Sequence, residues 1–288
     1  MKIAENTISA VEKYLSDNLE TIYTEREIAV FTDVLFEDLL AISKTERFLN
    51  AQKRLSESEL LKIVYACKDL KKQIPVQYIT GKAFFKNLWL EVNHHVLIPR
   101  PETEELVSLI IRENKTAKKI IDFCTGSGCV ALVLKKEFQS AETFATDVSK
   151  EALTLAERNA KNNNIDVRFF CEDVLSERTN SGFQQADIIV ANPPYVLESD
   201  KSEMSSNVLN HEPHLALFVP DEDALKFYKA IAKKAAQLLK KDGKLYFEIH
   251  EEKGKAVSDL LSGHGFSNIR VLKDFYGKDR FVSGTWLF

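Results

Sequence analysis

The chain has 288 residues, 44% of them hydrophobic and 28% charged. That composition is globular and not disordered, and the length suffices for one large domain or two of ordinary size. A net charge of −4 and a pI near 6.0 argue against a nucleic-acid backbone as the main partner, because such proteins carry a basic face. No apolar run approaches the roughly 18 residues of a membrane span. The opening "MKIAENTISAVEKYLSDN" is amphipathic and lacks the continuous apolar core of a signal peptide. The four cysteines form no C-x-x-C pair and read as reduced thiols. A cytoplasmic protein without membrane attachment is expected, and no signal for oligomeric state is visible.

In chain order, residues 1–74 predict a small all-helical domain. "ISAVEKYL", "REIAVFTDVLFEDLLAI" and "SESELLKIVYACKDL" carry apolar residues at helical spacing. Ser56 and Glu59 form a capping-box start for the last of these. The segment has no glycine, and Pro75 is expected to close it. Its charges are mixed, which suits a protein partner better than a polyanion. Residues 75–98 form a linker, in which "AFFKNLWLEV" predicts a β-hairpin turning at Lys86-Asn87. "PRPETEELVSLIIREN" then opens a helix, with Pro101 in its first turn and acidic residues after it, as the helix dipole prefers.

From residue 118 strands and helices alternate, from "KKIIDFCTG" and "SGCVALVLKKEF" to the closing strands "NIRVLKD" and "RFVSGTWLF". This predicts an α/β domain over 99–288 with a doubly wound, mainly parallel sheet. The closing pair should include an antiparallel strand.

Three segments at successive strand ends could hold a ligand. Cys124, Thr125, Gly126, Ser127 and Gly128 sit where the first strand of this domain turns into its helix; glycines there let backbone approach a ligand. Asp147 ends the next strand, where a carboxylate can accept from ribose hydroxyls, and Glu172-Asp173 follows the third. A tight strand–helix turn and solvated acids would look the same one at a time. In order, they suggest an adenosine ligand at the carboxyl edge of the sheet. "IIVANPPYV" supplies a fourth site, Asn192 to Tyr195. Neither proline can donate to a ladder, so carbonyls are left to accept. The Asn192 amide and the Tyr195 ring could then grip a planar group bearing an NH₂. A strand ending in a proline turn is the plainer alternative. No metal is expected: Pro213 interrupts the pair His211 and His214, and no cysteine lies near them.

Together these residues resemble the class I S-adenosylmethionine (AdoMet) methyltransferases. That resemblance implies a seven-stranded sheet whose last strand is antiparallel and whose first and fourth strands are neighbours. "IPVQYITGKAFFKNLWLEVNHHVLIPRPETEELV", "DFCTGSGCVAL", "ATDVSKEALTLAERNA", "ADIIVANPPYV", "HEPHLAL" and "VLKDFYGKDRFVSGTW" closely resemble the HemK/PrmC family, which methylates the glutamine side-chain nitrogen (N5) of the Gly-Gly-Gln segment in peptide-chain release factors. The resemblance implies that residues 124–128 line the methionine part of AdoMet, that Asp147 holds its ribose, and that Asp173 and Val174 border its adenine. It implies that Asn192, Pro193, Pro194 and Tyr195 bind the glutamine amide, with Asn192, Pro193 and Tyr195 serving the transfer and Asn192 also touching the cofactor, which leaves as S-adenosylhomocysteine. It further implies that "IPRPETE" borders the cofactor pocket, although Arg100 and Thr103 also fit as helix-entry residues. Two positions depart from the family pattern: Cys124 stands where a glycine is usual, and Val174 where a tryptophan is common.

An adenine amino-group methyltransferase acting on DNA or RNA shares the Asn-Pro-Pro-Tyr motif. It should show a basic face and aromatic insertions for base flipping; the near-neutral N-terminus and the acidic whole chain count against it. A non-catalytic AdoMet-binding scaffold has no use for an intact Asn-Pro-Pro-Tyr beside an intact cofactor turn. The helical N-terminus could dock the release factor or only brace the catalytic domain; docking is the favoured expectation.

Overall fold

A computed structural model describes residues 5–177 and 181–288. The chain forms two compact units. One comprises the chain up to Gly81 together with Ser205–His211, and the other Lys82–Met204 with Glu212–Phe288.

The first unit is helical: α1 (Ile8–Leu19), α2 (Glu25–Leu40), α3 (Lys44–Leu49), α4 (Glu57–Lys71) and α5 (Val76–Thr80), joined later in the chain by α9 (Ser206–His211). Three of its helices start with the same device. Thr24 with Glu27, Ser43 with Glu46 and Ser56 with Glu59 each form a reciprocal capping box, and such caps contribute about 1 kcal/mol apiece. The apolar stripes meet in one core that includes Ile8, Leu15, Leu35, Phe36, Ile63 and Leu70. Pro75 does not close the helical segment as expected. It caps α5, because a fixed φ is compatible with the entry to a helix as well as with its end. Nε2 of His211 bonds the Lys72 carbonyl at 2.8 Å, and the Ser206 hydroxyl bonds Gln73.

The second unit opens with the expected hairpin, β1 (Lys82–Phe85) and β2 (Leu88–Glu91), paired antiparallel. Lys86 and Asn87 both take positive φ (44° and 63°), the conformation that two-residue hairpin turns require. Next come α6 (Pro101–Glu113), β3 (Lys119–Phe123), α7 (Cys129–Glu137), β4 (Glu142–Asp147), α8 (Lys150–Asn162), β5 (Arg168–Cys171) and β6 (Ala186–Ala191). The short β7 (Val196–Leu197), α10 (His214–Leu217) and β8 (Phe218–Val219) precede α11 (Lys226–Leu238), β9 (Leu239–Glu248), α12 (Gly254–Gly263), β10 (Ser267–Lys273) and β11 (Asp279–Thr285).

Seven strands form one sheet in the order β10-β11-β9-β6-β3-β4-β5. β11 is antiparallel to both neighbours, and the pairs β9–β6, β6–β3, β3–β4 and β4–β5 are parallel. This is the class I methyltransferase arrangement. Side chains alternate between faces with period two. Ile120, Ile188, Val190 and Tyr246 pack under α6 and α7, while Ile121, Ile189, Ala191 and Phe247 pack under α11 and α12. Phe123 is in register with Thr146 and Ala191, and Ala191 with Phe247. The residues that follow β3, β6 and β9 therefore emerge side by side at one edge. Among the described residues no helix is long and apolar enough to cross a membrane.

Candidate active site

Asp122 organises the turn after β3. Its side chain is buried, and Oδ2 accepts from the Thr125 hydroxyl at 2.6 Å and from the Ala131 N–H at 3.2 Å. Burial pushes this acid up to about 7, against the pull of those two donors. The loop is also tied to β4, by Thr125 N–H to the Thr146 carbonyl at 2.9 Å and Gly126 N–H to Oδ2 of Asp147 at 2.9 Å. Gly126 and Gly128 have φ of 55° and 83°, a region that disfavours side chains. A Cβ on Gly126 would meet nothing within 4 Å, so its backbone lies open. One on Gly128 would come within 3.2 Å of the Ala156 Cβ on α8. Cys124 also takes a left-handed φ of 59°, which explains why a glycine is usual there; its Cβ is accommodated at a cost of about 1–2 kcal/mol. Burial, helped by the carboxylates of Asp147, Asp122 and Asp173, holds its thiol well above the ordinary value and so protonated.

The half-buried Asp147 accepts from Gly126 on one oxygen and from Ser149 N–H on the other at 3.0 Å. Each oxygen keeps a lone pair for an incoming hydroxyl. Burial raises this acid too, opposed by the N–H groups of Ser149 and Gly126.

A cavity of about 410 Å³ opens over this turn, within the range of small-molecule sites. Its wall includes residues 124–127, 147–149, 172–175, Asn192 and Pro194, with His94–Leu97, Arg100, Thr103 and Phe227 closing other sides. Gly128, Pro193 and Tyr195 are not part of that lining. Val174 is buried and Asp173 exposed, its Oδ1 holding the Leu175 N–H at 2.9 Å. Glu172 is engaged by Lys234 at 3.2 Å. Both Arg100 and Thr103 face the cavity although they enter α6. Arg100 is held by the buried Glu212, whose Oε1 accepts from Nη2 at 2.5 Å and whose Oε2 accepts from Ile98 N–H at 3.2 Å. Glu212 is thus the hydrogen-bonding group that the block "HEPHLAL" contributes here, and its Pro213, Leu215 and Ala216 join the cavity wall. Of its histidines, His211 bonds the Lys72 carbonyl and His214 sets its ring edge-on to Phe218. Among the described residues no three His, Cys, Asp or Glu side chains gather as a metal site would need.

β6 delivers Asn192 beside this turn. Nδ2 of Asn192 donates to the Thr103 hydroxyl at 3.3 Å, and that hydroxyl donates to Oε2 of Glu248 at 2.7 Å. The Tyr195 hydroxyl donates to Oε1 of the same carboxylate at 3.2 Å. Glu248, at the end of β9, is 1% exposed. Sequence reasoning missed it and Glu212. The available signal was an acid inside the otherwise apolar run "LYFEI".

The methyltransferase small domain family model matches residues 102–215, and the PrmC N-terminal domain model matches residues 11–81. The release factor glutamine methyltransferase of Flavobacterium psychrophilum is 42% identical over 269 residues, covering 92% of this chain and 94% of that one. This chain belongs to the release factor glutamine methyltransferase family. The family member from Bacteroides thetaiotaomicron is 40% identical, covering 96% of this chain and all of its own. A methyltransferase from Pyrococcus furiosus superposes with a TM-score of 0.53 at 17% identity, covering 81% of this chain and 100% of that one, and so shares the fold.

Proposed function

We propose that the protein transfers a methyl group from AdoMet to the side-chain amide nitrogen of the glutamine in the Gly-Gly-Gln segment of peptide-chain release factors. Family membership across both matched domains gives the reaction. The observation that supports it on this chain is the adjacency of Asn192, at the end of β6, to the open glycine turn at the end of β3.

The cavity fits AdoMet in size and in donor set. Asp147 would hold the ribose hydroxyls, Asp173 and Val174 would border the adenine, and residues 124–128 would line the methionine part. Bound AdoMet supplies an electrophilic methyl on a sulfonium centre. The acceptor amide is a poor nucleophile, because its nitrogen lone pair is delocalised, so placement in line with that methyl is the main contribution of the protein. With Nδ2 of Asn192 turned to Thr103, Oδ1 is left to accept from the glutamine NH₂, and the Pro193 carbonyl can take its second proton. Acceptors left unmatched cost about 1–3 kcal/mol each, which favours an NH₂ over an apolar group. Tyr195 would cover the planar amide, its hydroxyl fixed on Glu248. Burial and the Glu248 carboxylate push that phenol upward, so it stays protonated. Residues 1–74 would dock the release factor, with 75–98 linking them to the methyltransferase domain.

Mass spectrometry of a release factor incubated with the protein and AdoMet is the test. The expected outcome is one added methyl on the Gly-Gly-Gln glutamine. An unmodified glutamine, with label in DNA or RNA instead, would reject the assignment in favour of the adenine reading.

A further inference from the structure

Resting on that reading of the site, we infer that Glu248 is a positioning residue, which acts through Thr103 to set the direction of the Asn192 amide and through the Tyr195 hydroxyl to fix the ring over the acceptor. Glu248 is fully buried at the end of β9, and both of its oxygens are used by hydroxyls of the acceptor side. Its partners come from α6 and from the segment after β6, so the carboxylate at the end of β9 ties two separate elements together.

The direction of each bond follows from the inventory of protons. A threonine hydroxyl has one proton and lone pairs to spare. Burial raises the Glu248 acid against the pull of the Thr103 and Tyr195 hydroxyls and of Arg280; with a hydroxyl on each oxygen it serves as the acceptor, and at 2.7 Å Thr103 commits its proton to it. Toward Asn192 it can then only accept. The Asn192 amide must therefore present its NH₂ to Thr103 and its oxygen to the other side, where the substrate NH₂ arrives. Without an acceptor at position 248, the Thr103 proton is released to bond the amide oxygen. Asn192 can then rotate and present NH₂ to an incoming NH₂, two donors facing each other. Glu248 is not among the residues that line the cavity, so the effect is on placement alone. The remaining backbone oxygen of Glu248 accepts from the buried Tyr228 hydroxyl at 3.1 Å, which holds the end of β9 in place independently of the carboxylate.

Steady-state methylation of whole release factor by Glu248→Leu, Glu248→Gln, Thr103→Val and the double variant Glu248→Leu/Thr103→Val tests this, with AdoMet affinity measured by calorimetry on each. Glu248→Leu should lower kcat about 10²-fold, the scale of a one-ångström misplacement, while KM for release factor and AdoMet affinity stay near wild type. Glu248→Gln keeps an oxygen for Thr103 and should lose no more than about tenfold. Thr103→Val should lose no more than Glu248→Leu, because the Tyr195 bond to Glu248 survives in it, and the double variant should be no worse than Glu248→Leu alone, because that change already removes the orientation carried by Thr103. A wild-type kcat in Glu248→Leu would overturn the inference, and so would multiplicative losses in the double variant. Loss of AdoMet affinity in Glu248→Gln would overturn it by making the residue a brace of the cofactor site. Absence of transfer by the wild type would overturn the function itself, and this role with it.

Discussion

Asp122 is buried at the heart of the turn after β3, and the cost of that burial should be measurable. Inside the fold the acid is pushed up to about 7, mainly by desolvation, whereas the unfolded chain ionises at the ordinary 3.8. Between those values the native state holds a proton that the unfolded state has released. Stability contributed by this residue is therefore full below about pH 4 and is lost as pH rises toward 7. The rise corresponds to about 2–4 kcal/mol. Asp122→Asn keeps an oxygen for Thr125 and for the Ala131 N–H and removes the titration. Urea unfolding of both proteins without ligand, from pH 4.5 to 7.5, should show the wild type losing about 2–4 kcal/mol relative to the variant. Parallel curves would show that Asp122 ionises normally. Cys124 carries a different lesson at this scale. Its unusual φ has no signature in a single sequence; only the glycine of the family pattern hinted at it.

Elements were legible where a period had room to repeat. The strands around β3 and β6 and the helices α4, α8 and α11 showed it in their apolar spacing, and Ser56 with Glu59 marked the start of α4. β7, α9, α10 and β8 run two to six residues, too short for a period of 3.6 or 2 to declare itself. The group formed by Glu248, Thr103 and Tyr195 was hidden for another reason. Glu248 is 145 positions from Thr103 and 53 from Tyr195, and only the sheet order brings them together. The Glu212 clamp on Ile98 and Arg100 spans a similar distance, 114 and 112 positions. It fastens a segment that forms part of the cavity wall, so its loss should affect both stability and ligand. Glu212→Ala leaves a guanidinium and an N–H without their charged acceptor, and hydrogen bonds to charged groups contribute about 1.5–3 kcal/mol. Thermal unfolding should show a loss of that size, and calorimetry should show weaker AdoMet binding. A destabilised variant with wild-type affinity would mean that the clamp only supports the fold.

For the whole molecule the issue is how a pocket built for one amide finds a single glutamine among many. On the proposed reading the groups around Asn192 would recognise features that every glutamine carries, so discrimination has to come from surface beyond the cavity. A stable protein–protein contact buries about 800 Å² on each partner, far more than one side chain offers. A helical unit matched by the PrmC N-terminal domain, with mixed charges on its surface, is suited to supply such area for a protein and not for a polyanion. A net charge of −4 does not suggest the basic groove that single-stranded nucleic acid requires. The prediction is that whole release factor outcompetes a short Gly-Gly-Gln peptide by at least about 10²-fold in kcat/KM, since every 1.4 kcal/mol of docking energy is worth tenfold. The glycines remain necessary in both, because they let the backbone enter the cleft without a Cβ. Labelled AdoMet offered with release factor, peptide, DNA and RNA together should put its label in the release factor. Equal labelling of peptide and protein would remove the case for a docking unit, and the helical segment would then serve only as a brace.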